Sequence, residues 1–373
     1  MKQQKIKYID LSKKYFSIKK NFSKSLNKIF KKGDFISGKS VTKLEKNLQK
    51  FTNSHYVLAC GNGSDALELG LKVLGIGYGD HVLTVSNTWI SAVNAIRSVG
   101  AKPIFVDIDN TLNICVKDLK KKINKRIKAI ILVHLNGLPC EIEEILKILK
   151  NYNIKVIEDC SQSIGSTYKK KHVGNFSDLA TYSMHPTKNL GVFGDGGFIA
   201  TNSFKNYKKI KIIQNHGLKN RDEAEYVGRN SRLDNIQAEV ALLLLKRLNQ
   251  TLKKRINNSK YYENFLNDMS DKIILPHKNK EKSTRHTFHR YVILCKKKRN
   301  KLFQFLTKNG IDVKIHYPKD LHEQKPFKKF YKNDLINTER ISGQVLSLPI
   351  SETLKYNEIK YICNKIKFFF SRK

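Results

Sequence analysis

From about residue 55 onward, short apolar runs alternate with helical patterns. "YVLAC" leads to "SDALELGLKVLG", "HVLTV" to "WISAVNAIRSVG", "PIFVDI" to a helix at "VKDLKKKI", and "AIILVHL" to "EIEEILKILKNY"; "IKVIEDC" follows, and "LATYS" and "GGFIATN" read as two more strands. Runs of about five residues rich in Val and Ile, unalternating and separated by helices of about ten, describe strands buried on both faces of a parallel sheet. The expected class is α/β, with a large domain built on a mostly parallel central sheet flanked by helices. Ser64 is placed to cap the first helix, whose Ala66, Leu67, Leu71 and Leu74 follow a 3.6-residue period. Gly75 is placed to end it in the left-handed conformation that glycine adopts without strain.

Past about residue 240 the pattern changes. "LDNIQAEVALLLLKRLNQTLKKRINNSKYYENFL" reads as one long amphipathic helix, a spine between domains. "RYVILC", a helix at "RNKLFQFLTKNG", a short strand near "DVKIHYP" and a closing helix at "YNEIKYICNKIKFFF" predict a smaller C-terminal α+β domain. With 373 residues, more than one compact domain usually holds, the division falls at residues 1–240 and 241–373.

Composition adds limits. The hydrophobic fraction of 40% supplies a sizeable core, and no Pro, Gly, Ser or Gln tract signals disorder. The net charge of +39 raises the question of a polyanionic partner. The excess is nearly all Lys, in short runs such as "KKYFSIKK" and "KKKINKRIK" that fall on surface helices and turns, without interleaved Arg and aromatic residues. It reads as a solvated surface, with no nucleic acid as partner. Six scattered cysteines without a C-x-x-C pair point to a reducing cytoplasm. The N-terminus has no apolar signal core, and runs such as "AIILV" and "VALLLL" are too short to span a bilayer, so no membrane contact is expected. Neither H-E-x-x-H nor clustered Cys/His spacing suggests a metal.

Ligands of an α/β sheet gather beyond the carboxyl ends of its strands. "GNGSDA", after the first strand, joins two glycines, a helix N-terminus and the Ser64 hydroxyl into a phosphate cradle, or an ordinary capped turn. The lone tryptophan, Trp89, follows the second strand, placed to pack in a core or to stack on a flat ring. Asp159 ends "IKVIEDC", where a buried carboxylate needs a specific partner or caps the next turn; Gln162 follows. Lys188, in "SMHPTKNLGVFGDGG", comes after Ser183, His185 and Thr187 and before Gly191, Gly194, Gly196 and Gly197. Flexible Gly-rich backbone at a strand end suits a lysine that forms and breaks a bond to a bulky ligand. Cradle, aromatic ring, carboxylate and lysine together are the parts that hold pyridoxal phosphate.

"GNGSDAL", "SNTWISAVNAI", "AKPIFVDID", "VHLNGLP", "VIEDCSQSIGSTY", "HPTKNLGVFGDGG", "GRNSRLDNIQAEV", "HYP" and "LSLPI" occur in the order seen in the DegT/DnrJ/StrS family of nucleotide-sugar aminotransferases. The chain resembles that family, of the aspartate aminotransferase-like fold, over nearly its whole length. The resemblance makes the large domain the one that binds pyridoxal phosphate. Lys188 would form the imine with the cofactor, Asp159 pair with its pyridine nitrogen, Gln162 contact its phenolic oxygen and Trp89 stack on its ring. Ser64, the backbone around Gly63 and Asp65, and Ser183 would bind its phosphate, and Asn230 would reach the cofactor of a neighbouring subunit in a homodimer. His134, His185, His316 and Tyr317, with His286 and His289, fall in matching segments that would line the sugar or nucleotide pocket. Deoxygenating members of the family resemble the aminotransferases but have His where this chain has Lys188. The implied reaction is therefore ping-pong amino transfer from glutamate to a dTDP- or UDP-linked keto-deoxy sugar, for amino-sugar and polysaccharide biosynthesis. A keto-cyclitol substrate on the same fold, and a non-catalytic basic binding protein, are the alternatives.

Overall fold

The computed structural model describes residues 5–276, 283–332 and 334–371. Helices α1 (Leu11–Phe16), α2 (Lys19–Lys32) and α3 (Lys39–Thr52) precede the predicted alternation. It then runs β1 (Tyr56–Cys60), α4 (Gly63–Val73), β2 (His81–Val85), α5 (Ser91–Ser98), β3 (Lys102–Val106), α6 (Val116–Lys122), β4 (Ile127–Val133), α7 (Ile142–Leu149) and β5 (Lys155–Asp159). A hairpin of β6 (Thr167–Tyr168) and β7 (Lys171–His172) leads to β8 (Leu179–Ser183) and β9 (Gly197–Thr201), with α8 (Phe204–Ile213) after them.

The large sheet has the order β1-β9-β8-β5-β4-β2-β3. Only β9 is reversed, antiparallel to both its neighbours, so the other strands all send their carboxyl ends to one rim. The Val and Ile runs explain the arrangement: Val82, Leu83, Ile130, Leu132 and Ile157 are buried regardless of which face they point to, because helices cover both sides.

Two details of the sequence reading change. Asn62, not Ser64, caps α4, its side-chain oxygen accepting the Asp65 amide at 2.8 Å. Ser64 falls one residue inside the first turn, which frees its hydroxyl for the rim. The long spine is two helices, α9 (Asn235–Leu245) and α10 (Leu248–Leu266). The join tightens where the Arg247 amide donates to Leu244 O at 3.0 Å, one residue short of α spacing. Val240, Ala241 and Leu242, consecutive and all buried, spread the buried surface of α9 over more than half of its circumference, while α10 carries Tyr262 and Leu266 into a second core.

That second core lies under a three-stranded antiparallel sheet of β10 (Ile273–Ile274), β11 (Tyr291–Cys295) and β12 (Val345–Leu348), covered by α11 (Arg299–Lys308) and α12 (Tyr356–Ser371). In place of a strand near Asp312, isolated bridges join Lys314 to Ser347 and Ile6 to Ile311. Ile6, from the start of the chain, is buried in this second core. Among the described residues no helix is long and apolar enough to cross a membrane.

Candidate active site

Where the strands end on the common rim, a cavity of about 600 Å³ opens. Its walls include Gly63 and Ser64 from α4, Trp89 after β2, Asp159 and Gln162 from the end of β5, Ser183 at the end of β8, and His185 and Lys188 after it. Arg290, directly before β11, and His316 also line it. The chain thus brings together, from separate segments, residues that the sequence marked one by one, and adds Arg290 to them.

One side of the cavity is built for an anion. α4 begins here, and the amides of Gly63 and Ser64 have no intrahelical acceptor. The Ser64 hydroxyl meets that of Ser91, at the start of α5, at 2.7 Å. A Cβ on Gly63 would lie 2.6 Å from that of Ser183, so only glycine lets β8 and this turn approach so closely. Asp65 lines the cavity, but its amide is taken by Asn62 and its carboxylate binds Ser231 Oγ at 2.7 Å and Arg229 Nη2 at 2.8 Å. Its part is to fix the segment on either side of Asn230, which itself is exposed and outside the cavity wall.

Asp159 and Lys188 line the same cavity. Asp159 accepts the Ser161 amide at 3.0 Å through one oxygen and faces the cavity. Gln162 Oε1 accepts the Asn136 amide at 2.9 Å, and among the described residues its NH2 has no acceptor. Burial first and the Arg290 charge second, against the opposing Asp159, bring the Lys188 amine down to about 8. The glycines beside Lys188 serve close packing more than flexibility. A Cβ on Gly191 would sit 2.5 Å from Pro186 O and 2.6 Å from His185 O. The loop is also pinned from behind, where Lys14 Nζ donates to Pro186 O at 3.3 Å and Lys188 O at 3.1 Å.

Not every expected residue reaches the cavity. His134 is fully buried and outside the wall: the Cys140 amide donates to its Nδ1 at 3.1 Å, so its Nε2 proton points to Glu158 at 3.0 Å. Glu158 also accepts from the amides of Gly174 and Phe176 and the hydroxyl of Ser177, so this pair braces the core beside β5 and leaves nothing for a substrate. Cys160 joins them with ligand atoms within 4.8 Å of one another, but the carboxylate is already saturated by these donors. Side chains alternate across a strand, which is why Glu158 and its neighbour Asp159 have such different fates. His286 stacks on Phe288 and bonds to Asn136 O, and His289 is buried; neither lines the cavity. His316 and His185 do, and burial, with Arg290 next in effect, pushes His316 down to about 3. Tyr317 lies one layer back, its hydroxyl bonded to Arg290 at 2.9 Å and its ring 6.1 Å from that of Trp89.

The sequence reading missed Arg290 and Lys14. Arg290 stands directly after His289, and its signal was an arginine before a buried strand in a chain whose cations are mostly Lys. Lys14 had no signal among so many lysines.

These residues fit pyridoxal phosphate: an amide and hydroxyl cradle for the phosphate, an aromatic wall, a carboxylate, a free amide donor and a lysine of depressed pKa face one space of suitable volume.

Comparisons with known proteins agree. The model of the DegT/DnrJ/EryC1/StrS aminotransferase family matches residues 16–367. A protein of Geobacillus stearothermophilus described as a pleiotropic regulatory protein is 36% identical over 367 residues, 97% of this chain and 98% of its own. The dTDP-3-amino-3,6-dideoxy-alpha-D-galactopyranose transaminase of Aneurinibacillus thermoaerophilus is 35% identical, covering 97% of this chain and 98% of its own. The crystal structure of DesV from S. venezuelae in complex with a ketimine intermediate matches with a TM-score of 0.95 at 27% identity, over 99% of each chain.

Proposed function

The chain belongs to the DegT/DnrJ/EryC1/StrS aminotransferase family, whose members depend on pyridoxal phosphate, and from this we propose that it aminates a keto-deoxy sugar linked to dTDP or UDP. The amino donor is L-glutamate and the scheme is ping-pong. The observation that carries the reading is Lys188, an amine held at about 8 that shares a cavity with Asp159 and a phosphate-type cradle.

When bound, the cofactor supplies an aldehyde that exchanges amines and a protonated ring that accepts electrons. The protein's residues do the rest. The amides of Gly63 and Ser64, with the Ser64 and Ser183 hydroxyls, hold the phosphate. Asp159 keeps the pyridine nitrogen protonated, the free NH2 of Gln162 donates to the phenolic oxygen, and Trp89 covers the ring. Lys188 is the nucleophile and afterwards the acid–base that moves a proton at the substrate carbon, work for which an amine near neutrality is suited. A second copy of the chain brings Asn230 to the neighbouring phosphate, and His185 and His316 face the nucleotide sugar, with Tyr317 behind them holding Arg290.

The test is product release. Glutamate alone should yield about one equivalent of 2-oxoglutarate per subunit, and continuous release once the keto sugar is present. Continuous release without the sugar contradicts the two-half scheme; turnover with a keto-cyclitol in place of the nucleotide sugar moves the substrate to that alternative.

A further inference from the structure

Arg290 lines the cavity, yet none of the roles above uses it. It immediately precedes β11, and its Nη1 donates to Tyr317 Oη at 2.9 Å. The guanidinium also lies over the Tyr317 ring, 5.1 Å from its centroid, and that ring meets Trp89 at 6.1 Å. The head group is therefore held in one plane. Of its five N–H donors one is spent on Tyr317, and among the described residues its side chain has no other hydrogen bond and no ion pair. An oriented, unpaired guanidinium facing a cavity is a receptor for a planar anion, with carboxylate the best match.

We propose that Arg290 binds the α-carboxylate of the amino-acid donor and so sets which amines enter the first half-reaction. This rests on the aminotransferase reading and names the recognition element within it. Connectivity favours the α-carboxylate over the other anions. Arg290 and Lys188 line one cavity, so an anion on Arg290 shares the space in which Lys188 works on its carbon. In an amino acid that carbon carries the carboxylate directly. In a nucleotide-linked sugar, ring atoms separate a 3- or 4-keto carbon from the diphosphate.

The experiment follows the visible band of the lysine-bound cofactor in wild type, Arg290→Gln and Arg290→Lys. It is titrated with L-glutamate, with its α-amide and with L-glutamine, whose γ-carboxylate is an amide. Wild type should require about 10- to 100-fold more α-amide than glutamate for half-bleaching, the scale of a lost charged hydrogen bond. Arg290→Gln should lose that preference while keeping the ratio between glutamate and glutamine, and Arg290→Lys should retain part of it. A second reading needs no turnover. The pH midpoint of the band should rise when unreactive glutarate is added to wild type, because the anion cancels the Arg290 charge. In Arg290→Gln the midpoint should start higher and ignore glutarate.

Equal weakening of glutamate and its α-amide in Arg290→Gln would overturn the proposal, as would a defect confined to the sugar half-reaction. Loss of the preference for glutamate over glutamine instead would assign Arg290 to the γ-carboxylate and overturn the α assignment. If the wild-type band forms but no amino acid bleaches it, the aminotransferase reading falls and the donor site with it. Bleaching by wild type with an unchanged Arg290→Gln sinks the donor site alone.

Discussion

The cavity floor and the layer directly behind it each hold a lysine, and burial brings both to about 8. They meet back to back, the ammonium of Lys14 donating to the carbonyl of Lys188 itself at 3.1 Å. Their surroundings differ in what the amine can reach. Lys14, on α1, is enclosed by acceptors, with the Pro186 and Lys188 carbonyls in contact and the Glu352 charge offsetting its own. Arg255 pairs with the same Glu352 at 3.2 Å and donates to Phe288 O, His289 O and Ile350 O, so the back layer ties α1, the Lys188 loop and the small domain together. Lys188 instead points into open volume. A depressed amine alone is not a catalyst; free space in front of it, with a carboxylate and an anion cradle across that space, makes the difference.

Substitutions at the two sites should separate these roles. Lys188→Ala should lower turnover by about 10³-fold or more and abolish the visible band of the bound cofactor, with circular dichroism unchanged; appreciable turnover would show that the front lysine is dispensable. Asp159→Asn should keep the band but lose about 10²-fold in turnover, the scale of a removed electrostatic partner. Lys14→Met should leave two carbonyls and part of the Glu352 charge uncompensated, costing about 1–3 kcal/mol in denaturant unfolding and roughly tenfold in turnover. Lys14→Gln, which keeps donors without the charge, should recover part of both. Were Lys14→Met to erase the band as Lys188→Ala does, the division into front and back would fail.

Two weaker effects sharpen the comparison. Lys188 must shed its proton to attack, so the rate at which the band appears on adding cofactor should climb with pH and level off above about 8. A rate still climbing near the ordinary lysine value of about 10.4 would mean that burial and Arg290 do not act on it. Glu158→Gln should cost about 1.5–3 kcal/mol in stability while turnover stays within about twofold, since Glu158 braces the core and touches no part of the cavity.

Much of this was legible in the sequence because the strands announce themselves. Unalternating Val and Ile runs mark the strands of the sheet, and the carboxyl ends of those strands carry Gly63, Trp89, Asp159 and Lys188 to one rim. What stayed hidden depends on contacts distant in the chain. Arg290 is 102 positions beyond Lys188 and enters the cavity only because the second sheet folds back over the first. Lys14 is one lysine among many until α1 seats it under the loop. His134 and Glu158 look as reactive as Asp159 on paper, and only the four donors around Glu158 distinguish a brace from a site. The break between α9 and α10 escaped because no Gly or Pro stands at the join, where Lys246 and Arg247 continue a helical pattern.

The most direct test is the visible absorption spectrum of the purified protein with pyridoxal phosphate, before and after L-glutamate. The account predicts a band that depends on Lys188 and bleaches as 2-oxoglutarate is released. A wild-type protein that forms no such band, or whose band persists unchanged in glutamate and in the other amino acids, would contradict it.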